Sequence, residues 1–228
     1  MNNYNVPQLL TSFDKHGIIV GITGSGKSYF SSWFSNSKNK IDTRVLYITA
    51  KSETEEFLQN FNTVVEDVTD ALKVFTSGVE SVFLKLDYMA QDDLFIALER
   101  VESYADELIR RDLFVPMTVV IDEISLMVKH KLENSPATQA IGRAAATWRS
   151  KNIQIIGISQ RIAHIPSTLT TQAEHHIIFN FNESERRYLE SLYGKKMVNR
   201  ITEVVRNDKY RFVEITGNDL ISFNKVSI

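Results

Sequence analysis

The stretch Gly21–Ser28 (GITGSGKS) matches the phosphate-binding loop pattern G-x-x-x-x-G-K-[ST], or P-loop, at every position. It follows the apolar run Ile18–Val20 and opens a segment, Tyr29–Ser35, whose pattern predicts a helix. This setting is the one the pattern requires, because glycines let backbone N–H groups curl around phosphate at a helix N-terminus. A glycine-rich turn that happens to precede Lys-Ser is the alternative, and the setting favours a nucleotide site. The residues expected to contact the nucleotide are Gly21, Thr23, Gly24, Ser25, Gly26, Lys27, Ser28 and Tyr29.

Apolar, β-branched runs alternate with helical patterns along the chain, which is typical of an α/β sheet with crossover helices. The expected strands are residues 17–21, 45–49, 82–86, 118–122, 153–159 and 176–181. Between the third and the fourth, apolar residues within Leu94–Leu108 recur at three- and four-residue steps and predict a long amphipathic helix. Ser135 and Pro136 suit the N-cap and first position of the next helix, whose apolar stripe covers Ala137–Trp148.

The pattern changes after Phe181. Asn182 and Glu185 resemble a capping pair for a short helix, and a second short helix is expected over residues 197–204. The pattern that follows predicts a β-hairpin with a turn at Gly217-Asn218. Its two strands are expected over residues 210–215 and 220–226. We therefore expect one α/β domain over residues 1–228, with a mainly parallel central sheet flanked by helices, an N-terminal arm (1–15) and C-terminal helices and hairpin (182–228).

Composition excludes several classes of function. The chain has 228 residues, an ordinary apolar fraction and no cysteine, so a disulfide framework, a Cys-based zinc site and thiol chemistry are excluded. The five histidines lack ligand spacing, and no signal-like or membrane-spanning segment is apparent, so we expect a protein that works in a cytoplasm. The formal net charge of −2 means that any contact with nucleic acid must be local.

A pair of acids forms the second strong motif. Thr118–Glu123 (TVVIDE) predicts a buried strand that delivers Asp122 to the carboxyl edge of the sheet, where ligands bind in open α/β folds. With Ser28 on the opposite side, Asp122 is expected to hold Mg²⁺. Glu123 suits a general base that orients an attacking water. The alternative is a strand that merely ends in two solvated acids, and the upstream P-loop argues against it.

The next strand is followed by Gln160-Arg161. If that strand lies beside the P-loop strand, Gln160 projects toward the γ-phosphate, where an amide can bind phosphate or water. Polar residues at strand ends are common, so this signal is weak when taken alone.

Taken together, GITGSGKS, TVVIDE and GISQR, with Arg149 just before the last of these strands, resemble the HerA–FtsK superfamily of DNA-pumping ATPases. The length, Gln160 and the closing hairpin resemble its viral genome-packaging branch, found in tailless icosahedral viruses with an internal membrane. The resemblance implies a P-loop NTPase fold of the ASCE/RecA-like class, with ATP and Mg²⁺ as ligands. It also implies that Lys27 and Ser28 bind phosphate and metal, Asp122 holds the metal, Glu123 activates water and Gln160 senses the γ-phosphate.

The same resemblance implies a homo-hexameric ring in which a neighbour's arginine completes each site. Arg149 aligns best with that arginine, and Arg143 and Arg161 are its competitors, with an ordinary surface salt bridge as the alternative for each. Double-stranded DNA is the implied partner, bound without sequence preference. Candidate phosphate contacts are Lys85, Lys129 and Lys131. Full-length members of the superfamily carry additional domains that grip or guide DNA, and none is expected in this chain. We therefore expect it to dock on a capsid or membrane-vertex protein. Its expected location is the host cytoplasm or the packaging vertex of the virion.

Two other enzyme classes share a P-loop, the GTPases and the small-molecule kinases. Asn39–Asp42 spells the guanine-reading pattern N-K-x-D, but it precedes the second strand, which is the wrong place for a GTPase. A small-molecule kinase would need an acceptor pocket and a basic lid, for which Arg186-Arg187 and Lys195-Lys196 are candidates. The third possibility is an ATP-gated assembly factor that does not translocate anything.

Overall fold

A central sheet runs through the described part of the chain and carries helices on both faces. The computed structural model describes residues 7–12, 15–39, 43–78, 81–87, 91–113, 115–128, 134–206, 210–217 and 219–223. The strands within these ranges are β1 (Gly17–Val20), β2 (Arg44–Thr49), β3 (Thr63–Val65), β4 (Ser81–Lys85), β5 (Met117–Asp122), β6 (Ile153–Ser159), β7 (His175–Ile178), β8 (Phe212–Thr216) and β9 (Asp219–Phe223). The helices are α1 (Gln8–Thr11), α2 (Lys27–Asn39), α3 (Glu55–Leu58), α4 (Val68–Thr76), α5 (Gln91–Arg110), α6 (Pro136–Thr147), α7 (Ser167–Gln172), α8 (Glu183–Tyr193) and α9 (Lys195–Val205). Short 3₁₀ turns cover Ile124–Leu126, Trp148–Lys151 and Ile162–His164.

The strand order places the P-loop strand inside the sheet. Among the described residues the order is β3-β4-β2-β5-β6-β1-β7-β8-β9. The strands from β3 to β7 run parallel, and β8 and β9 close the sheet as an antiparallel hairpin. Register brings the carboxyl ends of the inner strands together, with Val20 opposite Ser159 and Thr49 opposite Asp122. The residues that follow these strands therefore share one edge of the sheet, which is the usual ligand edge of such folds.

Continuous apolar runs explain why the inner strands are covered on both faces. Every residue of β1, β5 and β6 is buried, as expected for parallel strands with helices on either side. One face is aromatic: Phe30 of α2 packs against the rings of Phe34 and Phe212. The other face is mainly aliphatic and is covered by helices from α4 to α9. The sheet thus fixes the direction of α2, whose first turn carries the P-loop lysine.

The N-terminal helix is tied to the hairpin by a buried acid. Glu214 of β8 is fully buried, and its carboxylate accepts the backbone N–H groups of Gln8 and Leu9, each at 2.7 Å. Its Oε1 also lies 3.0 Å from Nδ1 of His175. The adjacent His176 lies on the opposite side of β7 and contacts Tyr193, as the alternation of a strand predicts. Residues 7–12 of the expected arm are therefore docked, whereas residues 1–6 and 13–14 lie outside the described residues.

The sequence located the main elements and missed the small ones. The six strands expected before the hairpin are present, with ends that shift by up to a few residues, and the helix expected over Tyr29–Ser35 extends over Lys27–Asn39. The hairpin spans Phe212–Thr216 and Asp219–Phe223, and Asn218 of its turn lies outside the described residues. Strand β3 and helices α3 and α4 were not expected. At the sheet edge, Thr63 and Val65 of β3 are partly buried and Val64 is exposed, so the strand carries little hydrophobic pattern.

One of the two expected helix caps is confirmed and the other is wrong. Ser135 accepts a hydrogen bond from Thr138 N at the start of α6, with Pro136 as the first helical residue. Asn182 does precede α8, but its side chain makes no capping hydrogen bond. Glu185 instead binds the Arg161 guanidinium at 2.8 Å. A charged partner supplied by the β6 end therefore draws Glu185 away from the helix terminus.

Candidate functional site

The P-loop lies at the carboxyl edge of the sheet and curls over the start of α2. Gly21 N donates to Ser159 O at 3.3 Å, and Ile22 N donates to Asn180 O at 2.8 Å, so the flanking strands hold the start of the loop. Gly24 and Gly26 have φ angles of 75° and 104°, a region that L-residues with side chains rarely adopt. These angles turn the loop around the helix N-terminus, where free N–H groups and the dipole favour an anion.

The lysine of the loop folds back onto the loop itself. Lys27 is buried, and its ammonium donates to the carbonyl oxygens of Gly21 and Ile22. Burial lowers the pKa of Lys27 and the nearby Lys51 ammonium also lowers it, while Glu123 and Asp122 act in the opposite direction. An anion next to this ammonium would offset the cost of its burial.

The residues present fit a bound nucleotide with Mg²⁺. Ser25 is buried in the loop, and its hydroxyl has no hydrogen-bond partner among the described residues. An unpartnered buried hydroxyl at the N-terminus of a helix is a natural ligand for phosphate oxygen. The hydroxyl of Ser28 and the carboxylate of Asp122 are the hard oxygen donors that Mg²⁺ prefers. Burial is the main cause that raises the pKa of Asp122, and the Glu123 charge adds to it, so a cation at this position is favoured.

Glu123 follows Asp122 in a strained conformation. Its φ and ψ angles are 49° and 53°, in the left-handed region that costs energy for a residue with a side chain. This backbone turn places its carboxylate against the next strand end: Oε1 accepts the Gln160 N–H at 3.1 Å, and Oε2 accepts the Gln160 side-chain amide at 3.3 Å. Burial would raise the pKa of Glu123, but the hydrogen bond and charge of Lys51 outweigh it, so the pKa lies below its usual value.

Gln160 links this acid to the P-loop. Strand β6 pairs with β1, as the expectation for Gln160 required, and Gln160 follows the last residue of β6. The Thr23 hydroxyl donates to Gln160 Oε1 at 3.0 Å. Gln160 therefore lies beside the P-loop, and one chain of hydrogen bonds runs from the loop through the amide to Glu123. Its role toward the γ-phosphate stays a prediction.

Sequence reasoning missed Lys51 and Tyr210. Lys51 lies two residues beyond the end of β2, and its Nζ is 2.8 Å from Glu123 Oε2 and 3.5 Å from Asp122 Oδ2. Tyr210 lies before β8, and its ring is 3.1 Å from where a Cβ on Gly26 would be. Both residues line the same cavity of about 280 Å³ as Thr23, Lys27 and Gln160. The available signal for Lys51 was its place two residues after the end of an apolar strand.

Arg149 lies at the other edge of the sheet. It precedes β6, whereas Gln160 follows it, and β6 has seven residues. At about 3.3 Å per residue these two positions are about 20 Å apart, so Arg149 does not reach the site of its own chain. Its guanidinium binds Glu174 at 3.1 Å and the Gln172 carbonyl oxygen.

The competitors of Arg149 are also paired within the chain. Arg143 contacts Glu99 and binds Glu102 at 3.2 Å, and Arg161 binds Glu185 at 2.8 Å. The choice of arginine stays a prediction.

Of the three lysines expected to contact DNA, Lys85 lies within the residues that the structure describes. It is exposed at the end of β4, on the same sheet edge as the P-loop. Lys129 and Lys131 lie outside the described residues, as do residues 40–42 of the Asn-Lys-Ile-Asp pattern.

Solved structures of other proteins share this architecture. The genome packaging NTPase B204 from Sulfolobus turreted icosahedral virus 2, in complex with ATPγS, matches with a TM-score of 0.74 over 95% of this chain and 100% of that chain, at 16% identity. This chain and B204 share one fold. B204 from Sulfolobus turreted icosahedral virus matches with a TM-score of 0.72 over 94% and 98% of the two chains, at 17% identity. The cytoplasmic domain of the Type VII secretion ATPase EccC from Thermomonospora curvata matches with a TM-score of 0.63, covering 92% of this chain and 25% of that one, at 16% identity.

These neighbours agree with the resemblance seen in the motifs, and they confirm the expected P-loop NTPase fold. At identities of 16–17% the likeness concerns the fold. No model of a known sequence family matches the chain, and no curated protein sequence matches it. Among the described helices, none combines the length and the apolar character needed to cross a bilayer.

Proposed function

We propose that the chain is an ATP-hydrolysing motor that moves double-stranded DNA and packages a viral genome into a preformed capsid. The observation that carries the proposal is the hydrogen-bonded chain from Thr23 through Gln160 to Glu123, set directly beside the P-loop. A carboxylate and an amide placed there suit attack by water on a terminal phosphate. The structural likeness to a genome packaging NTPase supports viral DNA as the cargo.

Nucleotide binding depends on the loop and the start of α2. The Ser25 hydroxyl and the loop N–H groups are placed to donate to phosphate oxygens, and Lys27 exchanges its carbonyl partners for the β- and γ-phosphates. Ser28 and Asp122 would hold Mg²⁺, which supplies neutralisation of phosphate charge when it is bound. The exposed rings of Tyr29 and Tyr210 line the same cavity beyond the loop.

Water activation is assigned to Glu123. Its lowered pKa keeps the carboxylate ionised at neutral pH, so it can accept a proton from an attacking water. Gln160 fixes the position of that carboxylate through two hydrogen bonds, from its backbone N–H and from its side-chain amide. The contact of Gln160 Oε1 with Thr23 connects this arrangement to the phosphate-binding loop, so that Gln160 can sense the γ-phosphate.

In a ring, a neighbouring subunit would supply an arginine to each nucleotide site. Arg149 is held at the far edge of the sheet by Glu174, so we assign it to the site of a neighbouring subunit in a homo-hexamer. A guanidinium delivered in this way accelerates phosphoryl transfer on the order of 10³–10⁵-fold. Lys85 is the described candidate for pore contacts to DNA phosphates, and a capsid or membrane-vertex protein is the proposed dock at the virion.

The rival kinase reading has less support in the described residues. A basic lid would need Arg186 to turn toward the nucleotide, but Arg186 binds Glu190 at 3.0 Å and contacts Asn199 of α9. Both contacts would have to break before that side chain could act as a lid.

Steady-state ATP hydrolysis with and without long double-stranded DNA, at low and moderate salt, tests the proposal. We expect stimulation by DNA that fades as salt rises, because contacts to phosphates release counterions. Hydrolysis that is indifferent to DNA at every salt concentration contradicts the motor and favours the assembly-factor or kinase reading.

A further inference from the structure

Lys51 holds both acids of the site. Its ammonium binds Glu123 Oε2 at 2.8 Å and lies 3.5 Å from Asp122 Oδ2, and its side chain is 27% exposed. The backbone beneath it is fixed, because Lys51 N donates to the Thr49 hydroxyl at 3.1 Å at the end of β2. The flexible four-carbon stem therefore moves the charge while the residue itself stays in place.

The Glu123 carboxylate has no acceptor capacity left in this arrangement. An ionised carboxylate offers about four lone-pair sites. Four donors from the described residues occupy them: Gln160 N at 3.1 Å and Ser125 Oγ at 3.4 Å on Oε1, and Gln160 Nε2 at 3.3 Å and Lys51 Nζ at 2.8 Å on Oε2. A water that must donate to Glu123 before attack has no free site until one donor leaves.

Lys51 is the donor best placed to leave. The backbone N–H of Gln160 is fixed by the end of β6, and its amide is also held by Thr23 at 3.0 Å. Within the described residues, the ion pairs of the Lys51 ammonium are those with Glu123 and Asp122, and the charge of Glu53 attracts it more weakly. Lys51 also lines the cavity together with Lys27. A γ-phosphate beside Lys27 brings negative charge into that cavity and competes for the Lys51 ammonium.

We propose that Lys51 is a γ-phosphate-responsive lysine, which masks Glu123 without ATP and transfers to a γ-phosphate oxygen when ATP binds. The inference rests on the proposed ATPase function. It explains how the base becomes available only when there is a phosphate to attack. ADP, which lacks that phosphate, leaves Lys51 on Glu123.

The test compares the affinities of two ligands, ATPγS and ADP, measured by titration calorimetry with Mg²⁺. Removing Lys51 alone leaves two buried carboxylates without a cation, which repel any phosphate and cost stability. The decisive comparison is therefore Glu123→Gln against Glu123→Gln/Lys51→Met, in which the masked charge is absent from both proteins. Lys73→Met serves as the matched control, since that lysine is 72% exposed on α4 and pairs with Asp70.

We expect the added Lys51→Met change to weaken ATPγS binding by about tenfold, which converts to about 1.4 kcal/mol, while ADP binding stays nearly unchanged. Lys73→Met should change neither affinity. An equal loss for both ligands, or no loss for either, overturns the proposal and reduces Lys51 to an ion-pair partner. This result is separable from the fate of the motor proposal, because binding requires neither DNA nor turnover.

Discussion

Replacing Glu123 with glutamine separates binding from hydrolysis at this site. The amide has nearly the shape of the carboxylate, so it fills the same space between Gln160 and Lys51. It carries no charge and cannot take a proton from water. Loss of a general base typically costs 10²–10⁴-fold in rate, which corresponds to about 3–5 kcal/mol of activation free energy. Since a negative charge beside the γ-phosphate is removed, ATP affinity should stay equal or rise.

The assay pairs phosphate release at saturating ATP and DNA with equilibrium binding of ATPγS. Glu107→Gln is the matched control, because Glu107 lies on α5 and pairs with Arg110 and Arg111 away from the cavity. We expect wild-type turnover from the control and a loss of at least about a hundredfold from Glu123→Gln with binding retained. Equal turnover in Glu123→Gln and wild type would refute the assigned water-activating role.

The remaining predictions concern other parts of the molecule. Lys27→Ala should lose ATPγS affinity in titration calorimetry, because the ammonium that reaches the β- and γ-phosphates is gone; unchanged affinity would contradict its role. Mixing Arg149→Ala with Glu123→Gln subunits should restore some hydrolysis, because mixed rings contain sites with both groups intact; no rescue at any ratio, in rings shown to be mixed, counts against Arg149. Burial lowers the pKa of Lys38 to about 7, from 10.5, so between these values the unfolded chain binds more protons and stability rises with pH. Urea unfolding at pH 7 and pH 9 should show wild type gaining on the order of 2 kcal/mol relative to Lys38→Met, and a constant difference would show that Lys38 does not titrate in this range.

The sequence predicted those parts of the site that depend on local pattern. The P-loop is contiguous, and Asp122 is the last residue of a strand whose every residue is buried, with Glu123 directly after it. Gln160 required one further assumption, the adjacency of its strand to β1, and the sheet order supplies it. Buried parallel strands are recognisable in a sequence as continuous apolar runs, and their carboxyl ends lie at the same edge of the sheet.

What the sequence could not supply depends on contacts between distant segments. Lys51 reaches Glu123 only because β2 pairs with β5, a register that no local pattern reveals. Glu185 was assigned to a helix cap, but Arg161 from another strand end competes for it. Arg149 was correctly placed before β6, yet its own-chain partner Glu174 becomes visible only once β6 and β7 flank β1.

Translocation itself is tested most directly by displacement of a third strand from a DNA triplex at the end of a long duplex. We expect release of that strand by wild type with ATP, and none with ATPγS or with Glu123→Gln. Hydrolysis that DNA stimulates without any strand release, from rings shown to be assembled on the duplex, would contradict the claim that this chain is a DNA-moving motor.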